Sequence, residues 1–275
     1  MSEESSPPAP PAPAAWTKPL RAPIEMLGDL SIFFGQGVAA IFRPPYRVGL
    51  LFNQLEFMAY GSLFVVGLTG LFTGMVLALQ TVYAFGLFNA QSLVGATVEL
   101  SLARELAPVF TCIVLVARVG SAVATELGTM RVTEQIDALE TMAVDPINYL
   151  VVPRIVAAAL SAPVLCMLFN AIAMTGAYGV AVILKDLSPG TFLNRIQYLV
   201  ELKDITDGLG KSAVIGFVVV LIAAFRGYRA EGGARGVGIA TTQAVVGGLV
   251  AIFAIDYVYT AITLSNPQPR GGLGG

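Results

Sequence analysis

The stretch E-L-G-T-M-R-V-T-E-Q-I-D-A-L-E-T-M-A-V-D-P-I-N-Y-L-V-V-P-R, Glu126 to Arg154, is the longest strongly polar interval between two apolar blocks of this chain. No charged residue occurs from Phe57 to Val98 or from Ile155 to Leu184. Roughly 20 apolar residues suffice for a helix to cross a bilayer, so each of these runs is long enough. Strand-like alternation is absent, and unpaired backbone is not tolerated in hydrocarbon, so the crossings are expected to be helices. The polar interval then reads as a connection outside the membrane, between the second and third crossings.

Within it, Thr133 is placed to cap a helix, Glu134 sits at the positive end of the helix dipole, and Asp145-Pro146 enforces a stop. The resulting helix over 133–144 is about 18 Å long, too short to span. Ile136, Leu139 and Met142 form one stripe, while Glu134, Gln135, Asp137 and Glu140 line the remainder. A connector resting on an anionic leaflet should be basic. This one is acidic, which favours a protein partner over a lipid-resting connector.

Composition agrees with the membrane reading. The chain has 275 residues, is 56% hydrophobic and 12% charged, with a mean hydropathy of +0.76; soluble domains carry about 25% charged residues. A net charge of −2 gives no sign of nucleic-acid binding. The absence of histidine removes histidine triads, histidine proton relays and most zinc sites, and no metal site is expected. Cys112 and Cys166 fall inside expected spans and read as small packing residues.

Residues 1–23 are rich in Pro, Ala and Ser and read as a disordered tail without the apolar core of a secretory signal. Residues 24–42 carry an apolar stripe too polar to cross and suit a helix lying in the interface, ended by Arg43-Pro44-Pro45. The first span lies within about Phe57–Val82, with a start nearer Gly49 as the alternative, and has Gly70 and Gly74 spaced for close helix approach, either within the chain or across a homodimer seam. Tyr83–Gly95 reads as a loop, followed by spans at Leu106–Thr125, Ile155–Leu184, Leu209–Phe225 and Val237–Leu264. The third is long enough to need tilt or a break at Pro163. Lys211 could snorkel at the start of the fourth. A flexible tail over 267–275 closes the chain, and 24–266 forms a single domain. Nine basic residues against five place the N-terminus and the 126–154 interval in the cytoplasm, and the C-terminus outside.

Ionisable groups at membrane depth cost at least about 2.5 kcal/mol each, so they mark pairs, cavities or pathways. Glu99, Arg104, Glu105, Arg118 and Asp256 are the candidates. Arg104 and Arg118 lie about four turns apart, on roughly one helix face. Gly210-Lys211-Ser212 resembles the end of a nucleotide-binding loop, but Ile205 stands where that motif requires glycine. No nucleotide site is expected on this chain.

The run from Glu126 to Pro146 resembles the signature of MlaE/YrbE-type permeases, the membrane subunits of MCE-associated ABC transporters that move phospholipids between bacterial membranes. Arg104–Pro108 (R-E-L-A-P), Ala117–Ala122 (A-R-V-G-S-A), Leu150–Arg154, Ala240–Val245 and Asp256 match that family as well; Ala107 stands where glycine is usual. The resemblance covers Ile24 to Asn266. It implies an all-α membrane protein: an interfacial N-terminal helix, five transmembrane helices, and a cytoplasmic coupling helix between spans two and three.

The resemblance further implies that Thr133, Glu134, Gln135, Ile136, Asp137, Ala138, Leu139 and Glu140 seat against a separate ABC ATPase, which carries ATP and Mg. Arg104, Glu105 and Glu99 become candidate lipid-binding residues, Arg104 for a phospholipid phosphate. Arg118 and Asp256 become structural intramembrane charges. The implied partners are the ATPase, an MCE-domain protein on the periplasmic side, a second copy of the chain, phospholipid, and a small cytoplasmic STAS-type accessory. The implied location is the bacterial inner membrane. A secondary transporter or channel using Glu99, Arg104, Glu105 and Asp256 as an ion path is the alternative; an intramembrane enzyme lacks a nucleophile–base pair.

Overall fold

A computed structural model describes residues 18–44 and 47–265. The termini expected as tails over 1–17 and 267–275 lie outside the described residues, and 18–23 belong to a helix. Eight helices follow in order, with no strand among the described residues: α1 (Lys18–Ile41), α2 (Val48–Gly86), α3 (Gln91–Val132), α4 (Gln135–Thr141), α5 (Ile147–Leu184), α6 (Pro189–Leu199), α7 (Leu202–Tyr228) and α8 (Gly233–Ser265). Five of these, α2, α3, α5, α7 and α8, are long and apolar enough to cross a membrane. This is a multi-pass helical membrane protein.

The crossings outrun the expected spans because polar ends continue the same helices. The 42 residues of α3 reach about 63 Å at 1.5 Å each, twice the hydrocarbon thickness. Most of the expected Tyr83–Gly95 loop is therefore the ends of α2 and α3, leaving a turn at Leu87–Ala90. The helix of α5 passes Pro163 without a break.

Several wide π-turns interrupt the crossings, at Glu56–Tyr60, Leu102–Leu106, Val116–Gly120, Ile147–Val151 and Gly179–Leu184. Two of them precede a proline, Pro108 and Pro153. A proline has no N–H to give the carbonyl four residues back and its ring crowds that carbonyl, which a wide turn accommodates. The two wide turns of α3 also alter its helical phase: Arg104 reaches α7 and Arg118 reaches α2, so the expected common face is lost.

Packing centres on α5 and α7. Gly70 and Gly74 are buried against the backbone of Phe169 and Ala173 on α5, so this pair serves intrachain packing rather than a homodimer seam. Cys112 and Cys166 are free and buried, as expected of packing residues. α1 lies across α5 and α7, with Phe33 against Phe225 and Tyr228, and Phe34 against Phe217. Asp29 of α1 pairs with Arg229; this hydrogen bond holds the Asp29 carboxyl below the usual carboxylate range.

Candidate functional site

The opening stretch closes on itself. Glu126, near the end of α3, and Arg154, near the start of α5, pair at 2.7 Å, with Arg154 buried. The connection between them leaves and re-enters the bundle at one fixed point. Within it, α4 spans only Gln135–Thr141, shorter than the expected 133–144. Thr133 is not its cap: its hydroxyl donates back to the Thr129 carbonyl and closes α3. Glu134 takes the position before α4 in the left-handed region, φ 60°, and Ala143 does the same after it, φ 57°. The helix therefore ends before Asp145-Pro146, and Asp145 Oδ1 instead accepts the Ile147 N–H at 3.0 Å, capping α5.

The α4 helix docks by one side chain, Ile136, which is fully buried; Leu139 is half-buried, and Met142, the third member of the expected stripe, is 72% exposed. Arg131 pairs with Asp137 at 2.5 Å, and Tyr228 Oη donates to Glu140 at 3.3 Å. Gln135, Asp137, Ala138 and Glu140 remain exposed. Short, acidic and held at one end of the bundle, α4 presents a polar face outward.

The second feature lies towards the other end of α3 and α7. Gly208 lets α7 approach closely: a Cβ there would stand 2.0 Å from the Ala103 carbonyl oxygen. One turn later Lys211, whose side chain is 3% exposed, reaches Glu105 at 2.8 Å, Asp256 at 2.9 Å and Thr260 Oγ1 at 2.8 Å. The Thr260 hydroxyl donates to Glu105 Oε1 at 3.1 Å. Lys211 is thus the centre of an acid–base cluster joining α3, α7 and α8, and does not snorkel. One lysine against two carboxylates leaves the cluster an excess negative charge, set beside Arg104, which lies 3.5 Å from Asp204 through Nε.

Arg104, Glu105, Lys211 and Thr260 line a cleft of about 240 Å³ together with Leu100, Ser101, Asp207, Gly208, Tyr259 and Thr263. Arg104 and Glu105 are therefore brought together at the cleft, and Asp256 supports it through Lys211. Glu99 is not in its lining; it is buried against Asn170. No ion pair joins Glu99, Arg104, Glu105 and Arg118 to one another. Arg118 donates to the Phe57 carbonyl and the Ser62 hydroxyl, both at 3.0 Å, and fills the space over Gly61. Lys211 reads from sequence as a span-end lysine because apolarity alone starts the fourth span at Leu209, whereas α7 starts at Leu202 and carries the lysine inside the bundle. Glu201 and Asp204, which form a capping box across the first turn of α7, were the available signal for the true start at Leu202.

A five-span helical bundle with a charged cleft and an acidic helix at one end defines a membrane transport subunit. The family model described as Permease MlaE matches residues 51–262. The "Probable ABC transporter permease protein" of Rickettsia felis is 41% identical over 238 residues, 86% of this chain and 92% of its own. The "Intermembrane phospholipid transport system permease protein MlaE" of Haemophilus influenzae is 39% identical over 227 residues, covering 82% and 87%. "Protein TRIGALACTOSYLDIACYLGLYCEROL 1, chloroplastic" of Arabidopsis thaliana is 35% identical over 233 residues, covering 85% and 67%. The chain belongs to the MlaE permease family.

Proposed function

We propose that this chain is the membrane-spanning subunit of an ABC transporter that moves phospholipids between the inner and outer membranes of a bacterium, with ATP hydrolysis, ATP and Mg on a separate ATPase. The observation that carries the lipid reading is the cleft, where the Arg104 guanidinium stands among membrane-embedded helices. One carboxylate at the Nε edge leaves most of its five donors for phosphate oxygens. Glu105, fixed by Lys211 and Thr260, sets the negative wall against which a headgroup is oriented. Photo-crosslinking to a phospholipid probe is expected to fall several-fold in Arg104→Ala; unchanged labelling would return Arg104 to a structural partner of Asp204.

The ATPase reading rests on α4, whose acidic side chains face outward from a connection clasped by Glu126 and Arg154. The orientation follows the basic residues: α1, the 126–154 connection and the Arg226–Arg235 turn are in mutual contact at one end, through Asp29–Arg229 and Tyr228–Glu140. That end is the cytoplasmic one, which puts the C-terminus in the periplasm, facing an MCE-domain partner. A second copy completes the transporter, and a small STAS-type accessory sits on the cytoplasmic side. Glu134→Lys with Asp137→Lys is expected to abolish co-purification of the ATPase while membrane insertion is kept. Retention of the ATPase at wild-type yield would sink the coupling role of α4.

A further inference from the structure

Among the described residues, one buried carboxyl group lies outside the cleft and outside the connection. Glu99, 6% exposed, is pressed by α3 against Asn170 of α5. Asn170 Nδ2 donates to Glu99 Oε1 at 2.7 Å. The two remaining oxygens, Glu99 Oε2 and Asn170 Oδ1, are both buried and both without a hydrogen-bond partner. If Glu99 is ionised, both are acceptors and neither can satisfy the other. Each would then remain a desolvated orphan.

Among the described residues, no cation offsets such a charge. The elements packed against this part of α3 are α2, α5, α6 and the wide turn at Leu102–Leu106. From α2, Tyr83 is exposed and Glu56 lies at the opposite end of the helix. α5 contributes Cys166 and Tyr178, and its Arg154 is engaged by Glu126 at the far end. Arg195 and Tyr198 of α6 are exposed. On the wide turn, Arg104 and Glu105 are engaged by Asp204 and Lys211. An unpaired buried carboxylate is costly enough that such groups neutralise instead.

We propose that Glu99 is a proton-binding site: it carries a proton on Oε2 and donates it to Asn170 Oδ1, closing a two-bond acid–amide ring. A single proton satisfies both orphaned oxygens, and no uncompensated charge is left at this joint between α3 and α5. The ring joins α3 to α5 a little over one turn from Arg104, so it fixes the depth and rotation of the segment that bears the cleft. Loss of the proton sets a carboxylate oxygen against the Asn170 carbonyl oxygen and opens the joint.

The full-length protein in lipid nanodiscs tests this by infrared difference spectroscopy at neutral pH, wild type against Glu99→Gln. Glutamine reproduces the ring with its own amide, so the variant keeps the fold. A carboxylic-acid carbonyl band, shifted in D2O, is expected to be lost in the variant. Loss of an ionised-carboxylate band instead would overturn the proposal. In Asn170→Ala the acid band is expected to move to higher frequency as its carbonyl loses a donor, and an unmoved band would overturn the pairing. Thermal midpoints give a third readout. The folded state holds a proton that the unfolded chain releases, so wild-type stability falls as pH rises. Glu99→Gln should lack that component, and parallel pH profiles would also overturn the proposal.

Discussion

Replacing Lys211 by methionine is expected to cost about 3–5 kcal/mol of stability, the range seen when one partner is removed from a buried ion pair. Lys211 is 3% exposed and donates to Glu105, Asp256 and Thr260, whereas Glu105 and Asp256 are 42% and 22% exposed. Methionine fills the same volume but leaves two carboxylates facing each other at the junction of three helices, with Asp256 the less able to reach water. The melting temperature in detergent should drop by many degrees. Adding Glu105→Gln and Asp256→Asn should restore most of it, because the triple variant has no charge left to compensate. Failure of the triple variant to recover would show that Lys211 acts through packing rather than charge. Transport should remain lost in the triple variant, since the charged wall of the cleft is gone.

The same cluster shows where sequence reading reached and where it stopped. The crossings were legible because lipid imposes one rule on every residue they contain, and Phe57–Val98 and Ile155–Leu184 obey it. The existence of α4 was legible from polarity and a following proline. Its boundaries were not: Glu134 and Ala143 occupy the left-handed region, which residue preference argues against, and the buried Ile136 holds the short helix in place. Arg104 and Glu105 were recognisable as candidates because charge in a span is rare. Their partners were not, because Asp204 and Lys211 lie about a hundred residues away and meet them only through the close approach at Gly208. Arg118 illustrates the same limit: carbonyl and hydroxyl acceptors on α2 satisfy it, and a search for opposite charge would not find them.

Gly74→Ala is expected to destabilise the protomer by about 3 kcal/mol, at the upper end of typical overpacking, even though alanine is the better helix former by about 1 kcal/mol. A Cβ at position 74 would stand 1.9 Å from the Ala173 carbonyl oxygen and 2.5 Å from its carbon, so no side-chain rotation relieves the clash. Neighbouring contacts tighten the constraint, since a Cβ at Gly70 would meet the Phe169 oxygen at 2.9 Å and one at Gly176 the Leu71 oxygen at 2.7 Å. The whole length of α2 would have to move off α5, loosening the helix that also supports Arg118. Gly238→Ala on α8, with nothing within 4 Å of the added carbon, should instead be neutral or gain up to about 1 kcal/mol. Thermal unfolding combined with cross-linking of the assembled transporter separates the two roles open to a small-residue pair. A seam between copies would give Gly74→Ala a normal melting temperature and a dissociated dimer. The buried contact with α5 requires the melting temperature itself to fall, with any loss of dimer following from the damaged protomer.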